Sequence, residues 1–239
     1  MHRIAGLALV LALGLTSQAH AQHAQHAQHA QGATERSAEM NRLWSEQLAE
    51  VAETAARFES PEREVIALRA EIVAALDLKP GSVVADVGAG TGAYLKALSD
   101  AVGPDGHIFA VDISAPFVAH MRDRLGRDGL RNVTVVLSRM DDPTLPSASV
   151  DAIVVVNTFH HFEAPDAMLA HFHRALRPAG QLAIIDFDLA ADHGGHRHEV
   201  MRLDRAAHVR LIEAAGFELL EDVEMAQLKE NFILRFRRP

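Results

Sequence analysis

Three glycines at alternate positions directly after an apolar run are the feature that most constrains the fold. The run Val83–Val87 carries Asp86 near its end, and Gly88, Gly90 and Gly92 follow. Such a run is typical of a buried strand, and closely spaced glycines allow a tight turn in which the backbone approaches a ligand. The N–H groups that begin the next helix point at whatever lies in that turn. The pattern therefore predicts a nucleotide-type cofactor site at the carboxyl end of a first parallel strand.

The same glycines are compatible with a second kind of cofactor. Gly88, Gly90 and Ala93 match the dinucleotide pattern G-x-G-x-x-G/A, which is weak on its own. Asp86 argues against that interpretation, because dinucleotide-binding folds usually have an apolar residue at this place in the strand. We expect the acid to orient the loop or to meet a cationic group such as an amino acid's ammonium. Simple capping of the loop by Asp86 is the alternative that stays open.

A second acid ends the next predicted strand, His107–Asp112. A carboxylate at the end of a second strand can accept hydrogen bonds from both hydroxyls of a ribose. Alone, an acid there is often only a cap. Together with the glycine turn, Asp112 indicates a cofactor that contains adenosine.

Strand and helix patterns alternate from the glycine turn to the C-terminus. The alternation predicts a doubly wound α/β sheet that is mostly parallel, with helices on both faces. The last two strands are joined by too few residues for a parallel crossover, so we expect them to be antiparallel. The predicted later strands are His107–Asp112, Val133–Leu137, Val150–Val156, Gln181–Phe187, Phe217–Met225 and Asn231–Arg237, and the helices are Tyr94–Val102, Ala115–Arg127, Ala167–Leu176 and Val200–Ala215.

Two helices are predicted before the first strand, over residues 37–79. Apolar residues recur at helical spacing between Met40 and Phe58 and include Trp44, the only tryptophan. We expect Trp44 to pack rather than to stack on a substrate, although a role of this helix as a lid stays open. Ser60-Pro61-Glu62 has the composition of a helix N-terminus and predicts a second helix that runs to about Leu78.

The N-terminus has the composition of a secretory signal peptide. His2-Arg3 precede the apolar run Ile4–Leu15, and Ala19-His20-Ala21 matches an A-x-A cleavage site. The run is shorter than the about 20 residues that span a bilayer. We expect cleavage after residue 21, export to the periplasm and no stable membrane anchor afterwards. A buried N-terminal helix is the alternative.

Composition limits the partners. Residues 22–36 contain Gln-His-Ala repeats and predict a solvated linker, although His23, His26 and His29 could loosely hold a metal. The net charge of −9 argues against a nucleic-acid partner, which requires clustered Lys and Arg. The chain has no cysteine, which excludes disulfides, thiolate metal sites and cysteine nucleophiles. Residues 80–239 are expected to form the main domain.

From about Arg57 to the C-terminus, the chain resembles class I S-adenosylmethionine-dependent methyltransferases. It looks most like a bacterial small-molecule branch whose members often carry signal peptides. The motifs that carry the resemblance are Asp86-Val87-Gly88-Ala89-Gly90-Thr91-Gly92, Ala110-Val111-Asp112-Ile113, Ser149-Val150-Asp151, Phe159-His160-His161-Phe162, Leu176-Arg177-Pro178-Ala179-Gly180 and Leu228-Lys229-Glu230-Asn231-Phe232.

The resemblance implies a Rossmann-like, seven-stranded sheet whose last strand is antiparallel, and S-adenosylmethionine as cofactor. It implies that the methionine moiety lies against the glycine loop, the ribose on Asp112 and the adenine beside Ile113. Arg139 stands where an acid that meets the adenine amine is expected, which leaves Met140 and Asp141 as uncertain adenine contacts. The cofactor-binding residues expected on this basis are Asp86, Gly88, Ala89, Gly90, Gly92, Asp112, Ile113, Met140, Asp141 and Asn157.

The residues after the fourth predicted strand are the candidates for catalysis. His160 or His161 could act as general base for a hydroxyl or amine, because imidazole titrates near neutral pH. Shaping of the pocket and capping of the next helix are the competing roles. Asn157 does not stand in the Asn-Pro-Pro-aromatic pattern of enzymes that methylate nucleic-acid bases. Ala179 replaces a more usual glycine, which is a mild departure confined to a turn.

The polar segment before the Val200–Ala215 helix offers further candidates. His193, His196 and His198 resemble metal ligands, but the flexible glycines between them, the missing carboxylate geometry and the absence of a defined scaffold weaken a metal site. Arg202 and Arg205 lie on one predicted helix face. They are candidate contacts for an anionic substrate, and solvated surface charges are the alternative.

The sequence thus predicts an exported enzyme that transfers a methyl group from S-adenosylmethionine to a small molecule. Supply of a cofactor made in the cytoplasm stands against that interpretation. An exported, non-catalytic binding protein for an adenosine-containing ligand is the second hypothesis. A nicotinamide-dependent oxidoreductase is a third, disfavoured by Asp86 and by the terminal hairpin.

Overall fold

The computed structural model describes Glu39, Arg42 and residues 51–189 and 203–239. The predicted signal peptide and repeat linker, Trp44 with most of its apolar stripe, His193, His196, His198 and Arg202 lie outside the described residues. No helix in the described part of the chain is both long enough and apolar enough to cross a membrane.

A seven-stranded sheet with strand order β3-β2-β1-β4-β5-β7-β6 organises the molecule. Its strands are β1 Val83–Val87, β2 His107–Asp112, β3 Val133–Leu137, β4 Val150–Val156, β5 Leu176–Phe187, β6 Glu218–Val223 and β7 Asn231–Arg237. The helices are α1 Val51–Phe58, α2 Glu64–Ala67, α3 Arg69–Ala75, α4 Leu95–Val102, α5 Ala115–Asp128, α6 Pro165–Ala175 and α7 Arg205–Ala214, and a single 3-10 turn spans Phe159–His161.

The last strand is antiparallel to both of its neighbours. β7 pairs antiparallel with β5, from Gln181 opposite Arg237 to Phe187 opposite Asn231. It also pairs antiparallel with β6, which forms the edge of the sheet. The pairs among β1 to β5 are all parallel. The predicted doubly wound sheet with an antiparallel last strand is therefore confirmed.

Two hydrophobic cores lie on opposite faces of the sheet, because residues of a central strand alternate between them. On β1, Ala85 and Val87 belong to one core and Val84 to the other. The first core includes Phe172 of α6, and the second includes Leu98 of α4. Covering both faces with helices leaves only the strand ends open, so these ends are where a ligand can approach the sheet.

The predicted helix from Ser60 to Leu78 is wrong in its start and in its continuity. The Ser60 hydroxyl accepts only the Glu62 N–H, at 3.3 Å, and Arg63 keeps an extended backbone. The first helical residue is Glu64, and a break at Leu68 separates α2 from α3. The predicted Val200–Ala215 helix also begins later within the described residues, at Arg205, because Asp204 caps it by accepting the Ala207 N–H at 2.6 Å.

The turn predicted before Gln181 lies within the first residues of β5 and has an unusual backbone. Ala179 has φ +61° and is exposed, so an alanine occupies a conformation that favours glycine. At Gly180 a Cβ would come within 2.8 Å of the Arg177 carbonyl oxygen. The strand nevertheless begins already at Leu176, since this residue pairs with Val150 of β4 before the register shifts.

Glu64 anchors the N-terminal helices to the start of β7. Its carboxylate accepts hydrogen bonds from the backbone N–H groups of Lys229, Glu230 and Asn231, at 2.7, 2.8 and 2.7 Å respectively. Hydrogen bonds to a charged acceptor contribute about 1.5–3 kcal/mol each to stability. This carboxylate therefore fixes α2 beside the strand end at which the cleft opens.

Glu64→Gln is expected to lower the free energy of unfolding by about 2 kcal/mol, because an amide NH2 replaces an acceptor oxygen opposite backbone donors. Urea denaturation monitored by circular dichroism measures this change. Glu62→Gln is the matched control, since its exposed side chain should leave stability unchanged. Equal stability of both variants would contradict the anchoring role.

Candidate cofactor and acceptor site

A cleft opens where β1 and β4 lie side by side, which is the point at which the strand order reverses. It consists of two adjoining cavities with about 760 and 1000 Å³ of empty space, including their open mouths. Ile113, Phe117 and Met140 line the first cavity. Arg63 and Asp86 line the second. The residues shared by both are Phe58, Gly88, Gly90, Asn157, Thr158 and His161.

The glycines after β1 have different roles. A Cβ at Gly88 would lie 2.2 Å from Thr158 Cγ2, so the missing side chain allows the loop to pack against the residues after β4. At Gly90, with φ +56°, the nearest atom to such a Cβ is Phe58 Cδ2 at 3.9 Å, so the backbone is open to the cleft. Gly92 packs on Leu95 and Met121 and is not among the residues that line either cavity.

Asp112 fixes the loop and faces the first cavity. Its carboxylate accepts the Gly90 N–H at 2.7 Å and the Ser114 N–H at 2.8 Å. Burial raises the pKa of Asp112 to about 6, although the backbone donors of Ser114, Gly90 and Ile113 oppose the shift. The predicted ribose acceptor is therefore held in place before any ligand is present.

Asp86 presents a buried acid to the second cavity. It is 3 % exposed, and within the described residues its carboxyl group has no hydrogen-bond partner. Burial, followed by the charge of Asp112, raises the pKa of Asp86 to about 7. A carboxyl group in this state is stabilised as the anion by a cation that enters the cavity.

His160 also lines the second cavity and is held by the buried carboxylate of Asp186. Its Nδ1 lies 2.7 Å from Asp186 Oδ1, and its backbone N–H donates to Asp186 Oδ2 at 3.1 Å. Burial alone would raise the pKa of Asp186, but the charge and hydrogen bond of His160 outweigh it and hold that pKa below its usual range. With Nδ1 engaged, Nε2 is the ring nitrogen that remains for a ligand.

Asn157 lies where the two cavities meet and has a positive φ of 47°. Its Oδ1 accepts the side-chain N–H of Asn231 at 2.6 Å, so the start of β7 orients it. Its Nδ2 is buried, and the described residues offer it no partner. The other histidine candidate, His161, lines both cavities and packs on the His160 ring, with 4.2 Å between centroids.

The structure brings most of the predicted cofactor residues to this cleft and leaves some apart. Ala89 lines the second cavity, and Met140 lines the first together with Arg139. Asp141 lines neither cavity. Arg205 is also outside both linings, because Asp188 and Asp222 bind its guanidinium at 2.7 and 3.2 Å. These two carboxylates neutralise the Arg205 guanidinium, which is expected from the sequence to bind an anionic substrate.

Several cleft residues carried no sequence signal of their own. The sequence identified Phe58 only as the last member of an apolar stripe. In the structure it lies against Gly90, and its ring packs at a tilt on that of Phe117, with 5.9 Å between the centroids. Arg63 follows the predicted N-cap of a helix, and its exact place depended on where that helix begins. No cluster of three metal-ligating side chains occurs in the described part of the chain.

A family model described as a methyltransferase domain matches residues 84–180, which run from β1 through the glycine loop and β4 to the first residues of β5. Residues 84–180 are therefore similar to a methyltransferase domain. The domain contains the cleft residues from Asp86 to His161, whereas Arg63 and Phe58 precede it.

Two relatives are about one third identical over part of this chain. The ubiquinone/menaquinone biosynthesis C-methyltransferase UbiE of Hydrogenovibrio crunogenus is 32% identical over 46% of this chain and 44% of the relative. The nocamycin O-methyltransferase of Saccharothrix syringae is 33% identical over 46% of this chain and 39% of the relative. The chain thus spans less than half the length of these two curated relatives.

Solved structures extend the similarity beyond the domain. A SAM-dependent methyltransferase from Aquifex aeolicus superposes with a TM-score of 0.72 at 27% identity, over 80% of this chain and 99% of that one. The 1,6-didemethyltoxoflavin-N1-methyltransferase of Burkholderia thailandensis, solved with S-adenosylhomocysteine, has a TM-score of 0.56 at 23% identity and covers 71% of this chain and 76% of its own. The second likeness supports the fold.

The cleft residues fit S-adenosylmethionine, the cofactor of this type of domain. In the second cavity, the buried carboxyl group of Asp86 fits the ammonium of the methionine moiety, and Arg63 can meet its carboxylate. In the first cavity, Asp112 can accept the ribose hydroxyls. Ile113 and Met140 offer apolar surface to the adenine.

Proposed function

We propose that this chain transfers a methyl group from S-adenosylmethionine to a small organic acceptor in the cleft between β1 and β4. The observation that carries the proposal is the composition of the second cavity. The Asp86 carboxyl group and the glycine loop line this cavity, and so does His160, whose Nδ1 lies 2.7 Å from Asp186 Oδ1. A cofactor group and a base for the acceptor can thus be held in one cavity.

The residues of the chain act mainly by binding, alignment and exclusion of water. When bound, S-adenosylmethionine supplies an electrophilic methyl group on a sulfonium, and S-adenosylhomocysteine is the product that remains. His160 Nε2 accepts the proton that the acceptor loses, and the Asp186 carboxylate stabilises the imidazolium that results. Asp86 and Arg63 orient the methionine moiety, and Phe58 covers the place where the two cavities meet.

The walls of the cleft favour a compact acceptor with apolar surface. Phe187 and Ile66 line the second cavity beside His160, and Phe162 and Met168 line the first. A nucleic-acid acceptor is disfavoured by the net charge of −9. The names of the two relatives assign methyl transfer to carbon and to oxygen, so we propose an acceptor with an ionisable hydroxyl or an activated carbon.

We also propose that the mature protein acts outside the cytoplasm after removal of residues 1–21. The basic start, the apolar run and the A-x-A site support this localisation. An exported, non-catalytic binding protein for an adenosine-containing ligand is the competing function, and it requires Asp86 and Asp112 but not the His160–Asp186 pair.

The experiment incubates the purified chain with a periplasmic extract and S-adenosylmethionine labelled in its methyl group. The proposal predicts that label enters a small molecule, that added S-adenosylhomocysteine suppresses transfer and that heat-inactivated protein transfers none. Binding of both sulfur compounds without a labelled acceptor would favour the binding protein. Binding of NAD with no affinity for either sulfur compound would reject the methyltransferase proposal.

A further inference from the structure

A single arginine connects the helix before the cleft to the glycine loop. Arg124 of α5 donates through Nη1 to Glu59 Oε1 at 2.6 Å and to the Thr91 carbonyl oxygen at 3.1 Å. Its Nε donates to Asp128 Oδ2 at 3.0 Å on the same helix. The Arg124 side chain is only 16% exposed and that of Glu59 26%, so solvent screens their ion pair less than a surface pair.

The residue before Glu59 is Phe58, which lines both cavities of the cleft. Its ring packs with Phe117 at 5.9 Å and lies 3.9 Å from the Cβ position of Gly90. Arg63 donates to the Phe58 carbonyl oxygen at 2.7 Å, and its guanidinium lies 5.6 Å from the ring centroid. Phe58 is thus placed over the loop that is to hold the cofactor.

We propose that Arg124 is a positioning residue for the cofactor, because its ion pair with Glu59 holds Phe58 closed over the cleft. The inference rests on the proposed function. We call Glu59, Arg124 and the Thr91 carbonyl group the latch. The latch joins the residue next to the cover with the loop beneath it, so its opening separates Phe58 from Gly90 and lets the cofactor or its spent product leave.

The local packing of α1 supports the role of the ion pair in holding Phe58 over the cleft. None of the residues Val51–Phe58 is buried, so half-buried side chains such as Phe58 make the contacts of the helix with the domain. An element with few buried contacts opens at low free energy, and a single ion pair then changes its open population strongly. Arg124 touches no residue that is proposed to bind the acceptor, and its loss should change ligand residence rather than chemistry.

The test compares Glu59→Gln, Arg124→Gln and their double variant, with Asp128→Asn as matched control. Asp128→Asn removes the other carboxylate bound by Arg124 but leaves Glu59 and Thr91 in place. Surface plasmon resonance measures the dissociation rate of S-adenosylhomocysteine from the full chain. Each latch variant is expected to raise that rate about tenfold, the double variant no further, and the control to remain within about twofold of wild type.

A second readout needs no ligand. Hydrogen exchange of the Val51–Phe58 amides should accelerate in both latch variants and not in Asp128→Asn, while the temperature of global unfolding stays close to wild type. Unchanged dissociation and unchanged exchange in the latch variants would overturn the latch, as would equal acceleration in Asp128→Asn. Absence of S-adenosylhomocysteine binding to the wild-type chain would instead overturn the proposed function, and accelerated exchange in the latch variants would still support the ion pair as the closing contact.

Discussion

His160→Gln is expected to lower kcat for a neutral hydroxyl acceptor by about 10²- to 10⁴-fold, which is the usual contribution of general-base catalysis. Glutamine is a polar side chain that can still form hydrogen bonds at this place, but it takes up no proton at neutral pH. The Kd of S-adenosylhomocysteine should stay unchanged, because Asp86, Asp112 and the glycine loop, and not His160, are proposed to hold the cofactor. Initial rates with labelled cofactor, together with calorimetry, measure both quantities.

Two comparisons make this prediction specific. His161→Gln should cost less activity, since it leaves in place the contact of 2.7 Å between His160 Nδ1 and Asp186 Oδ1 that orients the proposed base. The deficit of His160→Gln should also shrink for acceptors that are already ionised at the pH of the assay, because these need no base. A deficit of the same size for every acceptor, or a larger deficit in His161→Gln, would show that His160 only shapes the pocket.

Asp86→Asn is expected to weaken cofactor binding and, at the same time, to stabilise the ligand-free protein. The folded pKa of about 7 lies above the ordinary value of 3.8, so the folded state binds more protons than the unfolded chain. The stability from Asp86 is therefore complete below about pH 4 and is lost as pH rises toward about 7. Asparagine removes this dependence of stability on pH. Above pH 7 the free energy of unfolding of the variant should therefore exceed that of the wild type by up to about 4 kcal/mol.

Cofactor affinity is expected to change with pH in the opposite direction to stability. A ligand ammonium beside Asp86 favours the carboxylate, so wild-type affinity for S-adenosylhomocysteine should rise with pH up to about 7 and then level off. In Asp86→Asn that rise should largely disappear, and affinity at pH 8 should fall by about 1.5–3 kcal/mol. Urea denaturation and calorimetry across pH 5–8 test both sides. Asp100→Asn, on the exposed surface of α4, is the control that should change neither.

The part of the site that follows local chain geometry was predictable from the sequence. A β-branched run and a glycine turn place the cofactor loop at the end of a strand, independently of the elements that pack over it. The position of Asp112 follows from the end of the next strand of the same sheet. The antiparallel β7 follows from a connection too short for a crossover. In each case, one short segment contains both the signal and its structural consequence.

The rest of the site depends on contacts between segments distant in sequence. Gly88 needs no side chain because Thr158, from the end of β4, packs on it. Glu64 begins a helix at a residue that the Ser60-Pro61 signal did not indicate, and its carboxylate binds the N–H groups of residues 229–231. Arg205 faces Asp188 and Asp222, which no helical pattern could reveal. Such pairings become visible only once the sheet order is known.

The most direct measurement is the structure of the full chain crystallised with S-adenosylhomocysteine. The account predicts the ligand across both cavities, with its ammonium at the Asp86 carboxylate, its ribose hydroxyls on Asp112 and its adenine beside Ile113 and Met140. Phe58 should lie over it. A ligand bound elsewhere, or a cleft whose Gly90 and Asp86 make no contact with the ligand, would contradict the central claim.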